Sequence, residues 1–213
     1  MRLIAEDLML LLLRDDKGTL DASYPQPTLG GALLEELAVT GAVRLEKKSV
    51  WRSGKVLGVP GASVDDPVLR AALATVAEKE RTAEDLVNRL GKDLRDVLAE
   101  RLVTRGDLRE ERTRVLGLFP RKRWPAADTT RETEVRRDLT AALVHGVTPA
   151  PRTEALAALL HALDKPHKVV DRQGLPAREV RRRAKGLAEG HWAAKAVRDA
   201  IASASSSAAS ASS

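Results

Sequence analysis

Thr28-Leu29-Gly30-Gly31-Ala32-Leu33-Leu34-Glu35-Glu36-Leu37-Ala38-Val39-Thr40-Gly41-Ala42-Val43-Arg44-Leu45-Glu46 changes its period partway along. Leu33, Leu34 and Leu37 recur at helical spacing, and Gly41 is placed to stop a helix running from Leu29 to Thr40. Beyond Gly41, Val43 and Leu45 alternate with Arg44 and Glu46, the two-residue period of a strand, and Val50 to Val59 offers a returning partner. A helix followed by a small hairpin is therefore expected here, and the chain shows no internal repeat. Aromatic residues make up only 2% of the 213, so the core must be built from Leu, Val and Ala, the material of packed helices. The expected fold class is mostly α, a single-domain helical bundle carrying short β-hairpins.

Outward from that block, Ile4 to Leu13 reads as a buried helix ended by the turn Asp16-Lys17-Gly18, and Tyr24, Pro25 and Pro27 mark an irregular approach to the second helix. The apolar run Leu8 to Leu13 has acidic flanks and is too short for a secretory signal or a membrane span, so any membrane contact is expected to be peripheral. Asp66-Pro67 is a helix start, Asp capping the free amides and Pro filling the first position. Thr82-Ala83-Glu84-Asp85 carries a capping-box pattern. Leu94, Val97, Leu98 and Leu102 extend an apolar stripe up to Gly106. Further helices are expected from Thr129 or Thr130 to Gly146, from Thr153 to Leu163, and from Ala177 to Ile201 with a break at Gly190. Residues 1–202 read as one domain, and 203–213, composed only of Ser and Ala, as a disordered tail.

The net charge of +6 makes a polyanionic partner plausible, either nucleic acid or an anionic membrane. With no Cys there is no disulfide framework and no thiolate metal site, which fits a cytoplasmic setting. The segment Leu116-Gly117-Leu118-Phe119-Pro120-Arg121-Lys122-Arg123-Trp124-Pro125 places the only Phe and one of three Trp on either side of three consecutive cations. The two prolines exclude a helix interior, so it reads as a β-hairpin, with Arg114 to Phe119 as one strand and a turn at Pro120 to Arg123. Leu116, Leu118, Phe119 and Trp124 could enter a bilayer interface while Arg121, Lys122 and Arg123 meet lipid phosphates, each cation contributing on the order of 1 kcal/mol. The alternative for the same residues is a basic surface turn with Phe119 and Trp124 tucked inward.

The Thr28 to Glu46 block, the leucine-rich opening Ile4 to Gly18, and Leu94-Arg95-Asp96-Val97-Leu98-Ala99-Glu100-Arg101-Leu102-Val103-Thr104-Arg105-Gly106 followed by the basic hairpin lie in an order that resembles the Golgi phosphoprotein 3 family, bacterial branch. The resemblance implies a mostly helical domain on the cytosolic face of a membrane that recognises phosphatidylinositol 4-phosphate or a related phosphoinositide. It also suggests an adaptor role toward a membrane-protein client, and self-association. The family's headgroup pocket uses a Trp, a loop Arg between glycines and two Arg on a helix, with a membrane-inserting hairpin beside it. Matched by position, the helical pair falls on Lys92 and Arg95, the Trp near Tyr24, and the loop Arg on Gly30, where the cation is missing. The hairpin falls on Leu116 to Trp124.

Read without the family, Lys92 and Arg95 stand on one helix turn with Leu90, Leu94 and Leu98 toward the core; a solvated basic face is the plainer reading. Arg178, Arg181, Arg182, Arg183 and Lys185 form a second basic cluster, read as an exposed amphipathic surface. The competing function class is a nucleic-acid binder using the hairpin as a wing, but no recognition helix gathers Arg, Asn and Gln, and no nucleic acid is expected. His145, His161, His167 and His191 follow no metal-ligand spacing, and no nucleophile or phosphate-loop motif occurs, so neither an enzyme, a metal nor a cofactor is expected.

Overall fold

The helix Pro25–Val39 (α2) is the hub of the molecule, packing on the helices Ile4–Leu12 (α1), Pro67–Glu78 (α3), Ala83–Leu90 (α4), Leu94–Thr104 (α5), Pro151–Ala162 (α7) and Trp192–Ser210 (α10). The computed structural model describes residues 1–14, 18–46, 54–115 and 119–210. Thr130–Leu143 (α6), Pro166–Val169 (α8) and Ala177–Leu187 (α9) complete ten helices among the described residues, and these helices hold about 60% of those residues. Small antiparallel sheets lie between them. Leu13–Arg14 (β1) pairs Thr19–Leu20 (β2). Val43–Glu46 (β3), Lys55–Gly58 (β4) and Arg81–Thr82 (β5) form the second, in that order. Glu111–Val115 (β6) and Phe119–Arg123 (β7) form the third. Asp16 and Lys17 of the first expected turn, and Val50 at the start of the expected returning strand, lie outside the described residues.

Local signals act where the sequence places them. Asp66 accepts from the Val68 N–H at 2.9 Å and Thr82 from the Asp85 N–H at 3.2 Å, satisfying first-turn amides of α3 and α4. Gly41 takes φ +72° and ends α2, and Gly190, at φ +90°, breaks α9 from α10. The second helix starts earlier than the irregular approach expected for Tyr24 to Pro27. Both prolines sit in its first turn, where a missing N–H removes no helical bond. The stretch expected to be a disordered tail is helical through Ser210, with Ala211 to Ser213 outside the described residues. Alanine is the strongest helix former, the Ser205, Ser206 and Ser207 hydroxyls bond to carbonyls one turn back, and Ser203 Oγ donates to Glu84 Oε1 at 2.8 Å.

The aliphatic core is crossed by carboxylates. Glu6, Asp7, Glu35 and Glu36 are all buried on α1 and α2; the first two and Glu36 each meet an Arg from a distant segment, and Glu35 meets His191. Glu6 binds Arg101 and Arg105, both at 2.7 Å, and Arg101 also reaches Asp66 at 2.6 Å. Asp7 receives both arms of Arg131, at 2.8 and 2.7 Å. Glu36 binds Arg152 and the Ile4 N–H; burial pushes its carboxyl above the usual carboxylate range, and these two donors oppose the shift. Glu35 binds His191 Nδ1 and the Ala194 N–H, tying α2 to the start of α10.

Candidate lipid-binding site

Two glycines let α2 and α4 cross almost backbone to backbone. A Cβ on Gly30 would stand 2.0 Å from the Val87 carbonyl oxygen, and one on Gly91 would stand 1.7 Å from the Gln26 carbonyl oxygen. Gln26 Nε2 donates to the Asn88 carbonyl at 2.7 Å and fixes the same junction. Gly30, placed by sequence in a headgroup site, is a packing position inside α2. A side chain there has no space, so this crossing excludes an Arg at position 30. Tyr24 caps the start of α2, half-buried and two residues from Gln26; its carbonyl accepts from Thr28 Oγ1 at 2.8 Å.

Past Gly91 the chain turns through Asp93, which adopts φ +56°, a left-handed conformation that Asp tolerates better than most residues. Lys92 consequently sits in the turn before α5 and not on a shared helix turn with Arg95, as its spacing suggested. It is exposed and has no ion pair among the described residues. Arg95, in the first turn of α5, bonds Asp96 through Nε at 3.1 Å, and its guanidinium carbon lies 5.2 Å from the centre of the Trp124 ring. That stacking contributes roughly 0.5–1 kcal/mol for a half-exposed Arg.

Trp124 is 4% exposed and belongs to the core, so the structure corrects its placement among inserting residues. It follows β7 at the base of the hairpin, where its N–H donates to the Gly18 carbonyl at 3.1 Å and β1–β2 closes over it. The inward-tucked alternative describes this residue. Trp124 Nε1 and Arg123 Nε are both buried without a hydrogen-bond partner among the described residues.

The turn at Pro120 to Arg123 is also displaced. The pairs Glu111 with Arg123, Arg112 with Lys122 and Val115 with Phe119 put Phe119, Pro120, Arg121, Lys122 and Arg123 in a strand. A two-stranded ribbon leaves each strand one free edge, so Pro120 costs it little. Leu116 and Leu118 lie outside the described residues, and Phe119 and Arg121 are placed by backbone only. Lys122 is exposed, 3.7 Å from Glu110, and the Arg112 and Lys122 charges hold that carboxyl below its usual range.

The second basic cluster is largely internally paired. Arg182 and Arg183 both bind Glu179, Arg181 binds Asp164, and Arg183 Nη1 donates to the Val144 carbonyl at 2.8 Å. Sequence reasoning missed an apolar groove of about 350 Å³ between α3 and α5, with Arg89 and Lys92 in its lining. The signal was Val97: expected within the buried stripe, it is 42% exposed and lines that groove.

Among the described residues no helix is long and apolar enough to cross a membrane. No curated protein matches the chain. The family model of Golgi phosphoprotein 3 (GPP34) matches residues 4–204, a span that takes in α1 to α9, most of α10, the β6–β7 hairpin and the Lys92–Arg95 turn. On that match, the chain belongs to the Golgi phosphoprotein 3 (GPP34) family.

Proposed function

We propose that this protein binds the cytosolic face of a membrane by holding an anionic phospholipid headgroup at the α4–α5 turn, the lipid being phosphatidylinositol 4-phosphate or a related phosphoinositide. The observation that carries this reading is the stacking of Arg95 on Trp124 beside Lys92, which has no ion pair among the described residues. A guanidinium held against an indole presents paired donors to a phosphate with little loss of side-chain freedom, and the nearby ammonium adds a point charge. Phe119, with Leu116 and Leu118, supplies the apolar insertion, while Trp124 anchors the hairpin base. The lipid thus meets a pair of cations without the third that the family's loop would carry, so selectivity among anionic lipids is weak. An adaptor role toward a membrane-protein client and self-association are part of the same proposal, as is a binding role in place of catalysis.

Vesicle co-sedimentation tests it. Phosphatidylcholine vesicles carrying phosphatidylinositol 4-phosphate should retain the protein and pure phosphatidylcholine vesicles should not. Changing Lys92 and Arg95 together to Ala removes two cations at about 1 kcal/mol each, or about a thirtyfold loss of affinity. Both side chains are exposed, so the fold tolerates the change. Equal binding to neutral vesicles, or an undiminished double variant, refutes the proposal; a duplex DNA complex surviving physiological salt would move the protein to the nucleic-acid class.

A further inference from the structure

We infer that the groove between α3 and α5 receives one acyl chain of the same phospholipid, lifted from the bilayer when its phosphate is held at the α4–α5 turn. The inference rests on the lipid reading above and goes beyond it, since headgroup recognition alone needs no such groove.

Val68 and Ala71 of α3 line the groove with Leu94 and Val97 of α5, and Arg89 and Lys92 are part of the same lining. Those two cations come from one short junction, so charge is gathered at one place and the facing helices offer apolar side chains. An occupant with a single anionic end and an otherwise apolar body matches that distribution. A peptide matches it less well, because its amide groups would need partners along a wall that is mainly hydrocarbon. Arg89 is already held by Asp85 at 2.9 Å, which leaves Lys92, among the described residues, as the free charge where groove and proposed headgroup site meet. Val97 is one of three large apolar side chains left exposed among the described residues. The others, Met1 and Val147, do not line this groove. A chain laid against Val97 would remove it from water.

Calorimetric titration separates headgroup from chain. The probes are glycerophosphoinositol 4-phosphate and the dibutanoyl, dihexanoyl and dioctanoyl phosphatidylinositol 4-phosphates, all kept monomeric. A fully buried methylene strengthens binding about fourfold and a half-covered one about twofold, so dihexanoyl lipid should bind about fourfold tighter than dibutanoyl. Ala71→Trp, which fills the groove from an exposed position, and Val97→Asn, which makes it polar without adding charge, should each flatten that dependence while headgroup affinity stays unchanged. Affinity independent of chain length, or a chain-length gain that survives both variants, overturns the groove and leaves the headgroup reading standing. Failure of every probe and of anionic vesicles to bind overturns both. Displacement by an amphipathic peptide, sensitive to Ala71→Trp and with no chain-length effect, gives the groove to a protein partner and overturns the lipid assignment.

Discussion

A single methyl group added at Gly30 should damage this protein about as much as a large-to-small truncation in its core. The new carbon would stand 2.0 Å from the Val87 oxygen and 2.6 Å from the Gly91 nitrogen, both backbone atoms, whereas Cβ contacts below 3.0 Å are essentially never seen. No side chain can swing away, so α2 and α4 must part by about 1 Å. That separation loosens Leu33, Leu86 and Val87, all buried. Overpacking costs about 1–3 kcal/mol, and rigid groups on both sides put Gly30→Ala at the upper end, about 3 kcal/mol. For a chain of this length that is a fall in Tm of about 6–12 °C. Gly186 is the internal control: it lies in α9 with nothing within 4 Å of a Cβ, so Gly186→Ala should stabilise by about 0.5–1 kcal/mol. Urea unfolding of both variants measures the pair. If Gly30→Ala stays within about 0.5 kcal/mol of wild type, the helices do not cross as closely as described, and the exclusion of an Arg at position 30 fails with it.

Two further outcomes follow from the buried charges. His191 is held above its ordinary pKa of 6.5 by its hydrogen bond to Glu35, with burial opposing and Glu154 adding a smaller upward pull. A raised folded-state pKa means its stabilisation is complete below pH 6.5 and is lost as pH rises through the raised value. The melting-temperature gap between wild type and His191→Gln should therefore be wider at about pH 6 than at about pH 9, and a gap that does not narrow contradicts the pairing. Arg101→Met, which leaves Asp66 with only the Val68 amide and Glu6 with Arg105 as its remaining cation, should cost about 3 kcal/mol in urea unfolding, and a loss under about 1 kcal/mol would show the bridge to be idle.

What could be read in advance was local. Asp66 and Thr82 cap helices through contacts two or three residues away, and Gly41 and Gly190 need only their own backbone angles, so sequence neighbours carry the whole signal. The groups that escaped are those whose partners are remote. Glu6 and Asp7 look like the acidic first turn of an ordinary helix, yet both are buried because Arg101 and Arg131 arrive from the far side of the chain. Trp124 beside three cations has the composition of an interfacial anchor, and only the approach of Gly18 and Arg95 turns it inward. Pro120 punctuates as a turn residue does, but a free strand edge accommodates it. At the candidate site, sequence singled out Lys92 and Arg95 and gave no sign of the groove that Lys92 helps line, because a groove is a gap between α3 and α5 that neither element announces alone.

The remote pairing of charges also bears on how the chain is made. Three acidic groups near the amino terminus, Glu6, Asp7 and Glu36, take their cations from Arg101, Arg131 and Arg152. During synthesis α1 and α2 leave the ribosome long before those arginines exist, and in the interim Glu6 and Glu36 have only backbone amides of the same segment and water as counterparts. Until α7 has emerged the leading helices lack those pairings, so amino-terminal fragments should be less stable than the full chain and more open to proteolysis.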